Sequence, residues 1–124
     1  MTLMGLRDGV FVKAVATFGA ITHMAEYLAA TLQVEKMAPQ IWADFEQKRE
    51  EVLASRSALS WPEKIGVPLL LMHGAADRQV SPTQTLRLAE KLAARGASYS
   101  VVIYPNDGHI LAANRVDHDQ HVVE

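Results

Sequence analysis

PLLLMHG, Pro68 to Gly74, decides the fold. Its apolar run is unbroken between a proline and a glycine. A strand with one wet face alternates apolar and polar residues, whereas one covered on both faces does not. The run therefore predicts a strand inside a parallel sheet. SPTQTLRLAEKLAARG, Ser81 to Gly96, follows with the marks of a helix. Ser81 is the expected N-cap, Pro82 the first helical position and Gly96 the stop. SYSVVIYP, Ser98 to Pro105, predicts the next strand, over Tyr99 to Tyr104. Strand, helix, strand gives a parallel sheet of the α/β class. Crossovers between parallel strands are right-handed, so the loops that follow both strands open on one edge. That carboxyl edge is where open α/β sheets bind ligands.

Thr2 to Arg7 predicts the tail of a helix stopped by Gly9, and Ala14 to Phe18 a short strand. Thr22 is expected to cap a helix running to about Leu32. Pro39 is expected to open the next helix, in which Ile41, Trp42, Phe45, Val52 and Leu53 recur at helical spacing. SALSWPEKIGVP, Ser57 to Pro68, reads as a loop. ILAANRVDHDQHVVE, Ile110 to Glu124, reads as helix without a stop signal.

The 124 residues fit one domain, and 49% hydrophobic content supports a core. A net charge of -2 gives no electrostatic case for nucleic acid or an anionic membrane. Without cysteine there is no disulfide and no thiolate metal site. No apolar run nears the roughly 20 residues of a membrane span. The N-terminus lacks the features of a signal peptide, which points to the cytoplasm.

Two loops leave the predicted carboxyl edge: HGAADRQVSP, His73 to Pro82, and NDGHI, Asn106 to Ile110. Neighbouring strands lie about 4.8 Å apart. Asp77 from the first loop and His109 from the second are then placed to meet, with Gly108 expected to let the backbone turn and aim the ring. An Asp that accepts a hydrogen bond from a His fixes its tautomer and stabilises the imidazolium it becomes. That pair is the back half of a nucleophile–His–acid triad.

VPLLLMHGAADRQVSPTQTLRLAEKL followed by VVIYPNDGHI resembles the C-terminal part of an α/β-hydrolase catalytic domain, most closely the prolyl oligopeptidase family of serine peptidases. The resemblance implies that Asp77 is the triad acid and His109 the base. MTLMGLRDGVFVKAVATFGAIT looks like the family's helix after the nucleophile and the strand that follows it. The expected fold is a partial α/β-hydrolase, with a parallel sheet of about three strands and flanking helices. Residues 1–124 would form the C-terminal portion of the catalytic domain, truncated at both ends. No Gly-x-Ser-x-Gly elbow occurs in the sequence, so the chain alone is expected to be inactive. The resemblance implies a peptide or small ester substrate and no cofactor, metal, nucleic acid or membrane. A sheet reduced to its last strands would also expose an edge through which another chain could associate.

Other polar residues have plainer readings. His73 is expected to be a packed structural residue, Ser81 a helix cap rather than a nucleophile, and Ser55, Ser57 and Ser60 solvated. DHDQH, Asp117 to His121, fits a solvated terminal helix better than a metal site. Trp42 and Phe45 are read as core or cap packing ahead of a substrate-pocket wall. Two further functional readings stay open: an esterase or dienelactone-hydrolase-like fragment, and a non-catalytic α/β binding module.

Overall fold

The computed structural model describes residues 2–113 and 119–120. In chain order the elements are α1 (Thr2–Arg7), β1 (Val15–Phe18), α2 (Met24–Ala30), α3 (Leu32–Ile41) and α4 (Arg49–Ser55). Two 3₁₀ turns follow (Ala58–Ser60 and Pro62–Lys64), then β2 (Leu69–Gly74), α5 (Thr83–Ala94) and β3 (Tyr99–Tyr104). The three strands form one parallel sheet in the order β1-β2-β3.

β2 is the middle strand, which explains its unbroken apolar run. Leu69, Leu71 and Met72 are 2% exposed or less. On one face, Leu69 and Leu71 pack with Leu3 and Leu6 of α1, Trp61, Ile65, and Leu88 and Leu92 of α5. Each such side chain contributes roughly 1.5–3 kcal/mol through burial. The opposite face is thinner: Met72 meets Tyr104 and Leu111, while Ala16, Leu70 and Val102 stay half-buried. α5 starts at Thr83 with Pro82 rather than Ser81 at its N-cap and without a side-chain cap. The Ser81 hydroxyl, one residue earlier, pairs with the Thr83 hydroxyl at 2.8 Å and lies 3.4 Å from the Thr83 N–H. Gly96 ends α5 with a φ of +67, which a glycine adopts without strain.

The segment between β1 and β2 differs from the sequence reading. The helix expected from Thr22 to about Leu32 is broken at Thr31 into α2 and α3. Thr22 caps nothing. Its hydroxyl donates to the Gln84 carbonyl at 2.8 Å, and its N–H donates to Gln84 Oε1 at 2.9 Å. A buried partner on α5 has outcompeted the local cap. Ser57, expected to be solvated, is buried: its hydroxyl donates to Leu53 O and accepts the Met24 N–H at 2.8 Å. Ser57 thus supplies the start of α2 from another element. Ser55 is half-buried and bonded to Val52 O, and Ser60 is exposed.

Pro39 does not open a helix; it sits inside α3, two residues before its end. It forfeits the bond its N–H would make to Glu35, and the helix stops within a turn. The chain then leaves helical geometry at Trp42 and passes through Asp44, whose φ is +59, before α4 begins. Tertiary packing overrides the helical spacing here. The turn folds Phe45 into a cluster with Leu28, Ala38 and Leu53, and leaves Ile41 57% exposed. In the C-terminal stretch expected to be helical, residues 110–113 are turn or irregular and Asp119 and Gln120 are helical. The remaining residues, including His118 and His121, lie outside the described part.

Candidate active site

The register that pairs Gly74 with Tyr104 brings the carboxyl ends of β2 and β3 level. The two loops are stitched together just beyond. The Ala75 N–H donates to Tyr104 O at 2.8 Å, and the Ala76 N–H donates to Asp107 O at 2.9 Å. This closeness depends on Gly74: a Cβ there would overlap the backbone oxygens of Asp107 and Gly108. Gly108, expected to be the enabling glycine, has open space around it and no positive φ. The left-handed residue of this turn is Leu111, with a φ of 50. The buried Asp107 accepts the Ala113 N–H at 3.2 Å, which ties down the chain beyond His109.

The structure brings Asp77 and His109 together. Asp77 Oδ2 accepts the His109 Nδ1–H at 2.8 Å. Asp77 Oδ1 accepts the N–H groups of Gln79 and Val80 at 2.8 and 3.0 Å, a turn that the Asp side chain builds for itself. Its other partner is His73, whose ring is fully buried. His73 Nε2 lies 3.0 Å from both Asp77 Oδ2 and the Val80 carbonyl. A carbonyl only accepts, so that nitrogen carries the proton and donates to both. His73 Nδ1 lies 2.7 Å from the buried Thr85 hydroxyl, which donates to it. His73 is therefore packed, and it also ties Asp77 to α5.

Asp77 thus accepts from four donors while its side chain is fully buried. Burial pushes its carboxyl up. The Val80 N–H, His109 and Gln79 N–H hydrogen bonds, with the charge of His109, outweigh that and hold it below its ordinary value. The carboxylate stays ionised and immobile.

His109 contrasts with it: its side chain is 32% exposed. Asp77 is its hydrogen-bond partner among the described residues, through Nδ1, which leaves Nε2 available. The ring rests on the backbone of Gly19, just past β1. A Cβ at Gly19 would lie 2.9 Å from His109 Nδ1 and 3.2 Å from Asp77 Oδ2, and the φ there is +51. All three strand ends therefore contribute to the site. Gly19 and Gly74 were not read from the sequence as site residues; a glycine at the carboxyl end of a strand was the available signal.

His109 also lines a cavity of about 480 Å³, together with Ile21, Met24, Tyr27, Trp42 and Arg56. Trp42 both packs on Phe45, at 5.7 Å between ring centroids, and forms part of this wall. Phe45 belongs to the core. Among the described residues, no serine hydroxyl is bonded to His109, and Ser81 is engaged with Thr83. No group of three metal-ligating side chains is present among them, and no helix there is long and apolar enough to cross a membrane.

The sequence profile of the prolyl oligopeptidase family matches residues 1–124, the whole chain. The chain belongs to the prolyl oligopeptidase family. Solved structures agree with this fold. A Porphyromonas gingivalis dipeptidyl peptidase 4 superposes with a TM-score of 0.78 at 22% identity, over 98% of this chain and 17% of its own. A Mycobacterium tuberculosis puromycin-hydrolyzing peptidase gives 0.72 at 26% identity, over 87% and 16%. A Pyrococcus horikoshii acylaminoacyl peptidase gives 0.73 at 21% identity, over 88% and 18%. The chain is thus a partial α/β-hydrolase fold of serine-hydrolase lineage, spanning less than a fifth of the length of these prolyl oligopeptidase-type structures.

Proposed function

We propose that the chain carries the acid and base of a serine peptidase of prolyl oligopeptidase type, Asp77 and His109, which acts on peptide bonds through an acyl-enzyme. The observation that carries this reading is the 2.8 Å hydrogen bond between His109 Nδ1 and a buried, four-fold-bonded Asp77 at the carboxyl edge of a parallel sheet. Family membership favours a peptidase over an esterase.

In this reading Asp77 holds His109 in the Nδ1–H tautomer, so that Nε2 is the basic nitrogen. Nε2 takes the proton of a serine hydroxyl as the serine oxygen bonds to the substrate carbonyl carbon. The same proton then passes to the leaving amine as the peptide bond breaks. Water, deprotonated by the same nitrogen, releases the acid product and the serine. These 124 residues contain no Gly-x-Ser-x-Gly. The serine and the oxyanion-hole donors therefore come from catalytic-domain sequence outside them, and the 124 residues alone form no acyl-enzyme.

Two measurements test this. A fluorophosphonate probe should leave the 124-residue chain unlabelled, and phosphonylation of any of its serines contradicts the missing-nucleophile reading. In a catalytic domain that includes the serine elbow, His109→Ala and Asp77→Asn should each lower kcat by about 10³-fold or more. Turnover within tenfold of wild type in either variant refutes the assignment.

A further inference from the structure

Two arginines in the helical segment stack on aromatic rings, and they differ in one respect. The Arg49 guanidinium lies 5.2 Å from the Phe45 ring centroid, and its NH2 is 2.8 Å from Glu35 Oε1. Ring, cation and carboxylate form a complete set. The Arg56 guanidinium lies 4.8 Å from the Trp42 centroid, but no carboxylate of the described residues pairs with it. Three acids have cationic partners of their own: Glu26 pairs with Arg87 and His23, Glu35 with Arg49, and Asp8 with Arg7.

Arg56 is half-buried and lines the 480 Å³ cavity that His109 also lines. Among the described residues no acidic side chain contributes to the cavity wall, whose apolar part includes Ile21, Met24, Tyr27 and Trp61. A cavity of this size holds one or two amino-acid residues. A cation stacked on an indole and walled by apolar groups is partly stripped of water, which strengthens its pull on an anion. Its planar fork suits a carboxylate held through two parallel hydrogen bonds.

We propose that this cavity is a recognition pocket for a carboxylate-bearing apolar ligand, with Arg56 as the anchoring cation and Trp42, Tyr27 and Met24 as the apolar wall. The ligand supplies the carboxylate that Glu35 supplies to Arg49. As part of an enzyme, the pocket would select peptides or acylated amino acids with an anionic group a residue or so from the bond presented to His109. That placement rests on the reading of His109 as the base, whereas the binding itself does not. The carboxylate can be a free chain end or an acidic side chain, and both present the same fork to Arg56.

The test is an NMR titration of the ¹⁵N-labelled 124-residue chain with three probes: N-acetyl-L-phenylalanine, N-acetyl-L-phenylalanine amide and N-acetyl-L-glutamic acid α-amide. The proposal expects the phenylalanine acid to bind about tenfold or more tightly than its amide, with shifts at the Trp42 indole and the His109 ring. Tighter binding of the glutamate probe than of the phenylalanine acid identifies a side-chain carboxylate as the ligand; the reverse order identifies a chain end. In Arg56→Gln the preference for acid over amide should fall to within about twofold while amide binding is unchanged, and Arg56→Lys should restore part of it. Equal binding of acid and amide to the wild-type chain, no binding of either, or a preference that survives in Arg56→Gln overturns the proposal. Failure of the triad reading would show instead as turnover that survives His109→Ala, with the preference for acid over amide intact.

Discussion

The junction of the β2 and β3 loops and the helical segment from Thr22 to Ser57 lie on two sides of one cavity, and they are held by different means. At the junction, Asp77 accepts four hydrogen bonds and the two loops are cross-linked through backbone groups at Ala75 and Ala76. Position there is overdetermined, because each bond fixes atoms that the next also fixes. The helical segment is built from pieces of seven, ten and seven residues, none with a side-chain cap of its own. Its buried cluster is Leu28, Ala38, Phe45 and Leu53, and contacts from Gln84 and Ser57 anchor its start. Asp77 and His109 have the fixed geometry that the proposed acid and base need, while the wall of the proposed pocket is built from short helical pieces.

Substitutions at the junction should therefore cost more than those in the helical segment. The largest effect is expected at Gly74, where a side chain would overlap two backbone oxygens that cannot move without parting the loops. Gly74→Val should destabilise the chain by more than about 3 kcal/mol in urea unfolding. A cost below about 1 kcal/mol would mean that the junction is pliable and the comparison fails.

Asp77→Asn comes next. The amide presents an NH₂ group to donors that need an acceptor, and should cost about 2–3 kcal/mol at neutral pH. This loss depends on pH. The folded pKa of Asp77 is lowered, so its ionised form stabilises the native state above the unfolded value, near 3.9. That stabilisation fades as the pH falls through the folded value. The gap between wild type and Asp77→Asn should narrow below about pH 4, as followed by unfolding at a series of pH values. A gap that is constant with pH contradicts the charged role of Asp77.

The smallest effect belongs to the helical segment. Ser57→Ala removes the acceptor of the Met24 N–H at the start of α2. It should cost about 1 kcal/mol and leave the spectrum of the Asp77–His109 pair unchanged. If it disturbed that pair as much as Gly74→Val does, the two regions would not be independent.

The same contrast explains what was legible in the sequence. β2, α5 and β3 carry local marks: the run Leu69 to Met72, the Ser81-Pro82 start and the Gly96 stop. Their order places Asp77 and His109 on one edge, so the pair could be read without coordinates. The helical segment carries a periodicity that tertiary contacts overrule. Nothing near Thr22 in sequence announces Gln84, and nothing near Met24 announces Ser57. The spacing of Ile41, Trp42 and Phe45 suits one long helix, yet Phe45 is buried by breaking it. In the site itself, the need for Gly74 and Gly19 comes from the approach of other chain segments, which only the folded structure reveals.

The central claim is that Asp77 fixes His109 in the tautomer that leaves Nε2 basic. The most direct test is the ring ¹⁵N and low-field ¹H NMR spectrum of His109 in the 124-residue chain. The account predicts a proton on Nδ1, shifted to low field by its carboxylate partner and lost in Asp77→Asn. A His109 ring protonated at Nε2 instead, or an Nδ1–H signal indifferent to Asp77→Asn, would contradict it.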